Sequence, residues 1–308
     1  MADLSTTCSG INFSGCVYNA AGPNDTTLEE LEAIAGSGAA AVVTKTTTMQ
    51  PRTGNPEPRY FEMELGSLNS MGLPNPGIAK MKQNVVELKK TTKKPVIASF
   101  QGFNADECEV LAREYGQVAD MLELNLSCPN IIGKPQVAYD CAASEKYILA
   151  AQKGNEKKLP LTIKLSPYID AAHQNDIYEV IKRTGIRMVT SVNSPGNALW
   201  INERNEIAIK PKFGGLGGAF IKPIALGNVR RFYELSKGSL HITGVGGVTN
   251  GRDALDLILA GASHVGIGTQ FAMDGPVVFA RVHSELSSLL DEFGFSSVRD
   301  AVGKAKEL

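Results

Sequence analysis

The stretch HITGVGGVTNGRDALDLILAGASHVGIGTQF, residues 241–271, contains a complete unit of strand, helix and strand. Two short apolar runs, 241–247 and 263–268, flank a segment that opens with a capped helix start. Consecutive strands that are joined by a crossover helix run parallel to each other in one sheet. The stretch therefore predicts an α/β protein with a parallel sheet.

The same alternation of short apolar runs and amphipathic segments extends along the rest of the chain. Six further strands are predicted at 16–22, 39–45, 95–102, 121–126, 161–166 and 187–193. Capping-box spacing predicts helix starts at Thr26 with Glu29 and at Asn104 with Glu107. Three glycines stand where a left-handed residue would end a helix: Gly36, Gly116 and Gly185. Eight parallel strands with crossover helices predict a (β/α)₈ TIM barrel, as a single domain over residues 1–308.

Composition excludes several classes of protein. A chain of 308 residues with 43% apolar content can form either two ordinary domains or one barrel. Its 31 basic residues balance 32 acidic ones, which disfavours a nucleic-acid or anionic-membrane surface. No signal-peptide pattern opens the chain and no run of 18 apolar residues occurs, so we expect a soluble, cytoplasmic protein. The five cysteines form no C-x-x-C pair, which disfavours a zinc site.

Two predicted connections are much longer than the usual two to six residues. The first excursion runs from Lys45 to Pro95, and the second runs from Asn193 to His241. Long loops after barrel strands usually form lids or binding loops at the carboxyl-terminal face of the barrel. The segment PRTGNPEPR, 51–59, is polar and rich in glycine and proline, so we expect it to close over a ligand. A dimer contact or a simple insertion remains the alternative for both excursions.

Polar residues collect where the apolar strands are predicted to end. They are Asn19, Lys45, Gln101, Asn125, Lys164 and Asn193. A single buried amide is usually structural, and a single lysine at a strand end is usually solvated. Six such groups on one face are hard to explain as core, because unpaired amides and ammonium groups are costly to bury. They predict a site for a polar, planar ligand at the carboxyl-terminal rim.

The glycines of the opening stretch predict a phosphate site beside that rim. Gly246 and Gly247 precede the helix, and Gly268 and Thr269 follow the last strand. Glycines allow backbone N–H groups to approach an anion closely, and a helix N-terminus adds partial positive charge. The pattern does not match the G-x-G-x-x-G fingerprint, which disfavours a Rossmann dinucleotide site.

Cys128 lies in LELNLSCPN, 122–130, directly after the fourth predicted strand. A free cysteine is more often a small buried hydrophobe than a catalyst. Its position between amides, on a loop that Pro129 ends at the functional face, favours a reactive thiol instead. The other four cysteines are expected to be structural. A thiol, two lysines and a phosphate cradle together indicate a cofactor with a reactive ring.

Five groups of residues resemble the class 1 dihydroorotate dehydrogenases, and among them the class 1A enzymes most. These groups are NLSCPN with GKPQVAYD (125–140), GNPEPRY (54–60), LGSLNSMGLPN (65–75), VNSPGN (192–197) and GGLGG (214–218). The resemblance covers nearly the whole chain. It implies an FMN-containing barrel that oxidises dihydroorotate to orotate in pyrimidine biosynthesis, as a homodimer with fumarate as electron acceptor.

The resemblance also implies a role for individual residues. Cys128 matches the catalytic base of the family. The pyrimidine-binding residues of the family match Lys45, Asn69, Met71, Gly72, Leu73, Asn125, Asn130, Asn193 and Ser194. Its flavin contacts match Ala20, Gly22, Lys45, Asn125, Lys164, Val192, Gly218, Gly246, Gly247, Gly268 and Thr269.

The chain departs from the family pattern at Ser166, Pro195 and Ala198 and around 46–53, in loops that flank the expected pocket. Three alternatives stay open at this point. A class 1B enzyme would reach NAD through an iron–sulfur partner subunit. A phosphate-binding aldolase would use Lys45 or Lys164 as a Schiff-base amine. A flavin-binding or pyrimidine-sensing module would have no catalytic activity.

Overall fold

A computed structural model describes residues 1–130, 133 and 136–307. The strands are β1 (Thr6–Cys8), β2 (Ile11–Phe13), β3 (Val17–Asn19), β4 (Val42–Val43), β5 (Tyr60–Met63), β6 (Gly66–Asn69), β7 (Val96–Phe100), β8 (Met121–Asn125), β9 (Leu161–Leu165), β10 (Met188–Ser191), β11 (Gly215–Gly218), β12 (His241–Val245) and β13 (His264–Ile267). The helices are α1 (Leu28–Ala35), α2 (Gly77–Thr91), α3 (Ala105–Gly116), α4 (Cys141–Gly154), α5 (Ala171–Arg183), α6 (Lys222–Leu235), α7 (Gly251–Ala260), α8 (Thr269–Asp274), α9 (Val277–Glu292) and α10 (Val298–Ala301). None of the helices within these ranges is long and apolar enough to cross a membrane.

The core of the fold is a parallel sheet that curves into a barrel. In the part of the chain that the structure describes, eight strands follow the order β3-β13-β12-β10-β9-β8-β7-β4. Every residue of β8 and β9 is buried, as expected for parallel strands that helices cover on the outside. The predicted TIM barrel is confirmed, and each barrel strand lies within its predicted bounds.

Asn19 closes the seam between the first and last strands of this order. Its Nδ2 donates to the Val43 carbonyl at 2.7 Å, and its Oδ1 accepts from the Val43 N–H at 2.9 Å. The Ala40 N–H also donates to the Val17 carbonyl across the seam, at 2.9 Å. The side chain thus replaces a backbone pairing between β3 and β4. The prediction that Asn19 binds a ligand is wrong, because both of its polar groups are used inside the barrel wall.

The two long excursions meet in an antiparallel sheet that the sequence patterns did not predict. Within the described ranges this sheet has the order β11-β6-β5. Asn69, at the end of β6, lies opposite Tyr60 on one side and Gly215 on the other. Segments that are about 150 residues apart in the chain therefore form one structure beside the barrel.

The helix starts agree closely with the capping signals. Asn104 caps α3, since its side chain accepts from the Glu107 N–H at 2.9 Å. At α1 the capping box consists of Thr27 and Glu30, one residue later than predicted. The Glu30 carboxylate accepts from the Thr27 N–H at 2.9 Å, so the box is reciprocal.

The three helix-ending glycines differ from one another. Gly185 has φ 69°, the left-handed conformation that was predicted. Gly36 has φ −75° and Gly116 is the last residue of α3, so the prediction of a left-handed residue is wrong at both positions. The chain leaves these two helices in a right-handed turn that any residue could adopt.

His264, in β13, is a buried histidine that the fold keeps neutral. Its ring centroid lies 4.6 Å from that of Phe13 and 5.6 Å from that of Tyr18, and its Nε2 lies 2.7 Å from Thr6 Oγ1. Burial lowers the pKa of His264 to about 3, from an ordinary value of 6.5. Between pH 6.5 and about pH 3, His264 is therefore protonated in the unfolded chain but stays neutral in the folded chain.

We predict that His264 destabilises the protein in mild acid. Its contribution to the free energy of unfolding should fall by about 1.4 kcal/mol for each pH unit below 6.5, which is about 3 kcal/mol at about pH 4.5. Urea unfolding of the protein and of His264→Gln, each at about pH 7 and pH 4.5, measures this loss. The variant should lose distinctly less stability than the parent. The same loss in both would show that His264 does not titrate as described.

Candidate functional site

A pocket opens at the carboxyl ends of the barrel strands. Its lining includes every predicted site residue: Ala20, Gly22, Lys45, Asn69, Met71, Gly72, Leu73, Asn125, Cys128, Asn130, Lys164, Val192, Asn193, Ser194, Gly218, Gly246, Gly247, Gly268 and Thr269. Barrel strands and both long excursions contribute to it. The structure thus brings these residues together, while the role of each one stays a prediction.

The polar strand ends do not all reach this pocket. Lys45, Asn125, Lys164 and Asn193 line it, as predicted. Gln101 is buried outside the lining, and its Oε1 has no hydrogen-bond partner among the described residues. The prediction of six converging groups is therefore wrong for Gln101, as it is for Asn19.

Two lysines supply positive charge to the pocket. Nζ of Lys164 donates to the Ala21 carbonyl at 3.1 Å, and Nζ of Lys45 donates to the Gly22 carbonyl. Both carbonyls belong to the loop that follows β3. Because a carbonyl is neutral, it orients an ammonium group without cancelling its charge; Lys45 additionally lies 4.0 Å from the buried Asp25 carboxylate. The pocket is therefore suited to an anionic ligand, or to negative charge that develops during a reaction.

The asparagines of the pocket hold one another in place. Asn130 Nδ2 donates to Asn69 Oδ1 at 2.9 Å, and Asn69 Nδ2 donates to the Gly215 carbonyl at 3.3 Å. On the other side, Asn193 Nδ2 donates to Ser127 Oγ at 3.0 Å and to its carbonyl at 3.1 Å. These bonds fix which face of each amide is free for a ligand.

Glu123 sets the orientation of Asn125 from inside the barrel. A hydrogen-bonded chain runs from Glu123 Oε1 to Ser99 Oγ at 2.9 Å, to Thr46 Oγ1 at 2.9 Å and to Asn125 Nδ2 at 3.2 Å. A carboxylate only accepts, so Ser99 donates to Glu123 and Thr46 donates to Ser99. Asn125 must then present its N–H group to Thr46. Its Oδ1 is left to accept from the Ser127 N–H, at 3.0 Å.

Opposing effects act on the pKa of the Cys128 thiol. Burial raises the pKa of Cys128 above the ordinary value of 9.0, and this effect is the largest. The Asn130 backbone N–H and the positive charges of Lys164 and Lys45 act in the opposite direction. The net direction is upward, so the thiol holds its proton at neutral pH. Once the thiolate forms, it is a strong acceptor for a proton from a ligand.

Side chains at the pocket glycines would either clash with the protein or enter the pocket. Gly246 has φ 130° and Gly247 has φ 78°, and a Cβ on Gly247 would lie 2.4 Å from the Cβ of Lys222. At Gly22 and Gly268 the nearest protein atom to an added Cβ is 3.8 and 3.9 Å away. A side chain there would stand in the pocket itself. The open backbone at these positions suits a phosphate group.

The pocket also contains residues that the sequence patterns did not predict. The polar ones and the glycines are Thr46, Tyr60, Ser67, Gly217, Thr249, Gly266 and Gln270. Tyr60 and Ser67 belong to the hairpin of β5 and β6, whose two-residue loop is Glu64–Leu65. Because that loop lacks the Asn-Gly or Gly-X pair that usually marks a tight hairpin, the signal for these strands is weak.

The first excursion contacts the loop that carries Cys128. Asn55 Nδ2 donates to the Asn130 carbonyl at 3.0 Å and to the Ser70 carbonyl at 2.8 Å. The segment 51–59 therefore adjoins the pocket, and its closure over a ligand stays a prediction. Part of the motif GKPQVAYD lies outside the described residues, at 134 and 135.

Ser166, Pro195 and Ala198 surround the pocket without lining it, whereas Thr46, in the departing segment 46–53, is part of the lining. Ser166 Oγ donates to Gln136 Oε1 at 2.6 Å, which ties the end of β9 to the segment after Cys128. The Pro195 carbonyl accepts from the Leu216 N–H at 2.9 Å. Ala198 pairs with Gly214 through backbone hydrogen bonds in both directions.

Comparison with known proteins agrees with this arrangement. A family model described as dihydroorotate dehydrogenase matches residues 3–290. The chain belongs to this family. A relative from Lactococcus lactis subsp. lactis, named dihydroorotate dehydrogenase A (fumarate), is 41% identical over 312 residues, which are 99% of this chain and 100% of the relative. A relative from Streptococcus agalactiae serotype Ia, named putative dihydroorotate dehydrogenase A (fumarate), is 42% identical over the full length of both chains.

Solved structures show the same fold. The ligand-free dihydroorotate dehydrogenase of Eimeria tenella matches with a TM-score of 0.88 at 24% identity, over 100% of this chain and 93% of that one. The Eimeria tenella enzyme in complex with ferulenol matches with a TM-score of 0.85 at 25% identity, over 98% of this chain and 88% of that one. The family model and the full-length relatives confirm the family resemblance that the sequence motifs predict.

Proposed function

We propose that this protein oxidises dihydroorotate to orotate in pyrimidine biosynthesis, with FMN as cofactor and fumarate as electron acceptor. The observation that carries the proposal is the convergence of Cys128, two lysines and four asparagines on one pocket. Full-length similarity to relatives named for dihydroorotate and fumarate supports it.

The residues of the pocket fit FMN. The cradle formed by Gly246, Gly247, Gly268 and Thr269 would hold the phosphate, because its open backbone and the start of α8 favour an anion. Lys164 would lie beside the ring, where its charge favours the reduced form. When bound, FMN supplies the hydride acceptor for dihydroorotate and the hydride donor for fumarate.

The rest of the lining is complementary to a pyrimidine carboxylate. The ring of dihydroorotate presents alternating N–H and C=O groups, which amide side chains match with one donor and one acceptor each. Asn69, Asn125, Asn130 and Asn193 supply such groups in fixed orientations. Lys45 supplies a positive charge for the carboxylate.

Cys128 would act as the base. Oxidation to orotate removes a proton from C5 of dihydroorotate and a hydride from C6, so the C5 proton would pass to Sγ of the Cys128 thiolate. In the second half-reaction the same thiol would return a proton to fumarate. The raised pKa of Cys128 makes its thiolate a better proton acceptor, at the cost of a smaller thiolate fraction near neutral pH.

The alternatives fit less well. Family membership disfavours a Schiff-base aldolase. Relatives named for fumarate favour class 1A over a class 1B enzyme that reaches NAD through a partner subunit. An intact Cys128, with both lysines in the same pocket, favours catalysis over a sensing module.

A homodimer is also part of the proposal. The second excursion carries a group of exposed large apolar side chains: Leu199, Trp200, Ile201, Ile207 and Phe213. Clusters of this kind usually mark a protein–protein interface. A second copy of the chain would bury them.

We predict that the purified protein carries non-covalent FMN and that dihydroorotate bleaches the flavin absorbance in the absence of oxygen. An absorption spectrum before and after anaerobic addition of dihydroorotate measures this. Succinate, which lacks the pyrimidine ring, is the control addition and should leave the spectrum unchanged. A colourless protein that cannot be reconstituted with FMN would refute the proposal.

We predict that Cys128→Ala retains the flavin but reduces it about 10² to 10⁴ times more slowly, which is the usual contribution of a positioned base. Stopped-flow absorbance with dihydroorotate measures the rate constant. In the parent this constant should rise with pH through the neutral and alkaline range, because the pKa of Cys128 is raised and the thiolate forms late. Cys141→Ala, outside the pocket lining, is the matched control and should react normally. A normal rate in Cys128→Ala would make this thiol structural.

We predict ping-pong kinetics with dihydroorotate and fumarate, because both small planar carboxylates would occupy the same pocket in turn. Double-reciprocal plots of initial rates should give parallel lines, and orotate should compete with fumarate. Intersecting lines would require both substrates to bind at once and would contradict a shared pocket. Rapid reoxidation by a quinone but not by fumarate would overturn the choice of acceptor alone.

A further inference from the structure

Asp25 is a buried carboxylate directly behind the pocket, and it is not part of the lining. The residue is 0% exposed, and its Oδ2 accepts a hydrogen bond from the Gly22 N–H at 2.7 Å. Its Oδ1 has no hydrogen-bond partner among the described residues. A buried carboxylate oxygen without a donor is costly and calls for an explanation beyond packing.

The unpartnered oxygen faces the ammonium group of a pocket lysine. Oδ1 of Asp25 lies 4.0 Å from Nζ of Lys45, within ion-pair distance. The backbone reinforces this arrangement, since the Lys45 N–H donates to the Asp25 carbonyl at 2.8 Å. Nζ of Lys45 also donates to the Gly22 carbonyl, in the same loop. The loop 22–25 therefore holds Lys45 by its backbone and by its charge.

We propose that Asp25 is a positioning residue for Lys45. Asp25 draws the ammonium group of Lys45 back towards the loop 22–25 and offsets its charge. An anionic ligand must therefore compete with Asp25 for Lys45. The inference deepens the proposed function, because orotate, dihydroorotate and fumarate all carry a carboxylate. A purely structural carboxylate would need only its contact with the Gly22 N–H, which an asparagine could make equally well.

The competition has a measurable consequence. Burial raises the pKa of Asp25 to about 6, while the positive charges of Lys45 and Lys164 oppose this effect and the Glu30 carboxylate adds to it slightly. A bound anion would partly neutralise the charge of Lys45. The ionised form of Asp25 would then be stabilised less, and the pKa of Asp25 would rise further. By linkage, ligand binding then takes up protons near this pKa, and protonation of Asp25 strengthens ligand binding by the same factor. Cys128 stays protonated throughout this range, since its pKa is raised.

The test measures the dissociation constant of orotate for the flavin-loaded protein between about pH 5.5 and pH 8. For each unit by which orotate raises the pKa of Asp25, affinity should increase about tenfold from the upper to the lower end. In Asp25→Asn, which keeps an acceptor for the Gly22 N–H, the dependence on pH should be lost. Glu30→Gln is the matched control, because it removes a neighbouring charge and keeps the acceptors at the start of α1. It should behave like the parent.

Calorimetry of the parent protein gives a second measurement that does not require a variant. Titrations with orotate at about pH 6.5, in buffers of different ionisation enthalpy, should show net proton uptake, and Asp25→Asn should show none. Orotate binding without proton uptake and without dependence on pH would overturn the role of Asp25 and leave the proposed function intact. A failure of orotate to bind the flavin-loaded parent at any pH would instead overturn the proposed function, and this inference with it.

Discussion

Closure of the parallel sheet between β3 and β4 is the constraint on which the site depends. Asn19 makes this closure by pairing with both backbone groups of Val43. Because the loop 20–25 follows β3 and Lys45 follows β4, the seam brings Gly22 and Asp25 against Lys45. An asparagine outside the pocket lining thus determines where the ammonium group of Lys45 lies. The other strands extend this ring of carboxyl ends around the barrel.

The barrel was readable from the sequence because its strands are buried on both faces. Such strands appear as short apolar runs with polar residues where they end, as in MLELN with Asn125 or LTIKL with Lys164. The sheet formed by β5, β6 and β11 was not predictable in the same way. Its strands come from two excursions, and the pairing of Asn69 with Gly215 depends on the barrel that brings them together. Local patterns carry no information about such distant pairing.

The residues of the candidate site were likewise predictable only in part. Many residues that line the pocket were identified by their motifs, because residue type and spacing are visible in a sequence, whereas others such as Tyr60 and Ser67 were not. Residues that act from behind the lining were missed: Asp25 stands in an ordinary turn sequence, and Glu123 reads as one polar residue of an alternating strand. Their significance lies in what they contact, namely Lys45 and the chain from Ser99 to Asn125. Gln101 shows the opposite error, since a polar residue at a strand end need not face the pocket.

The two pocket lysines differ in a way that suits a reaction with alternating ligands. Lys164 contacts the neutral Ala21 carbonyl, whereas Lys45 also faces the Asp25 carboxylate. In the proposed reaction Lys164 would favour negative charge on the reduced cofactor, where a strong and constant field accelerates the chemistry. Lys45 would meet ligands that must leave, because orotate has to depart before fumarate can enter the same pocket. Binding energy that is spent equally on ground state and transition state does not raise turnover once the pocket is occupied. Asp25 interacts with both lysines, but more strongly with Lys45. It would therefore weaken the attraction of Lys45 for a carboxylate, and so favour release of orotate, more than it weakens the field of Lys164 at the cofactor.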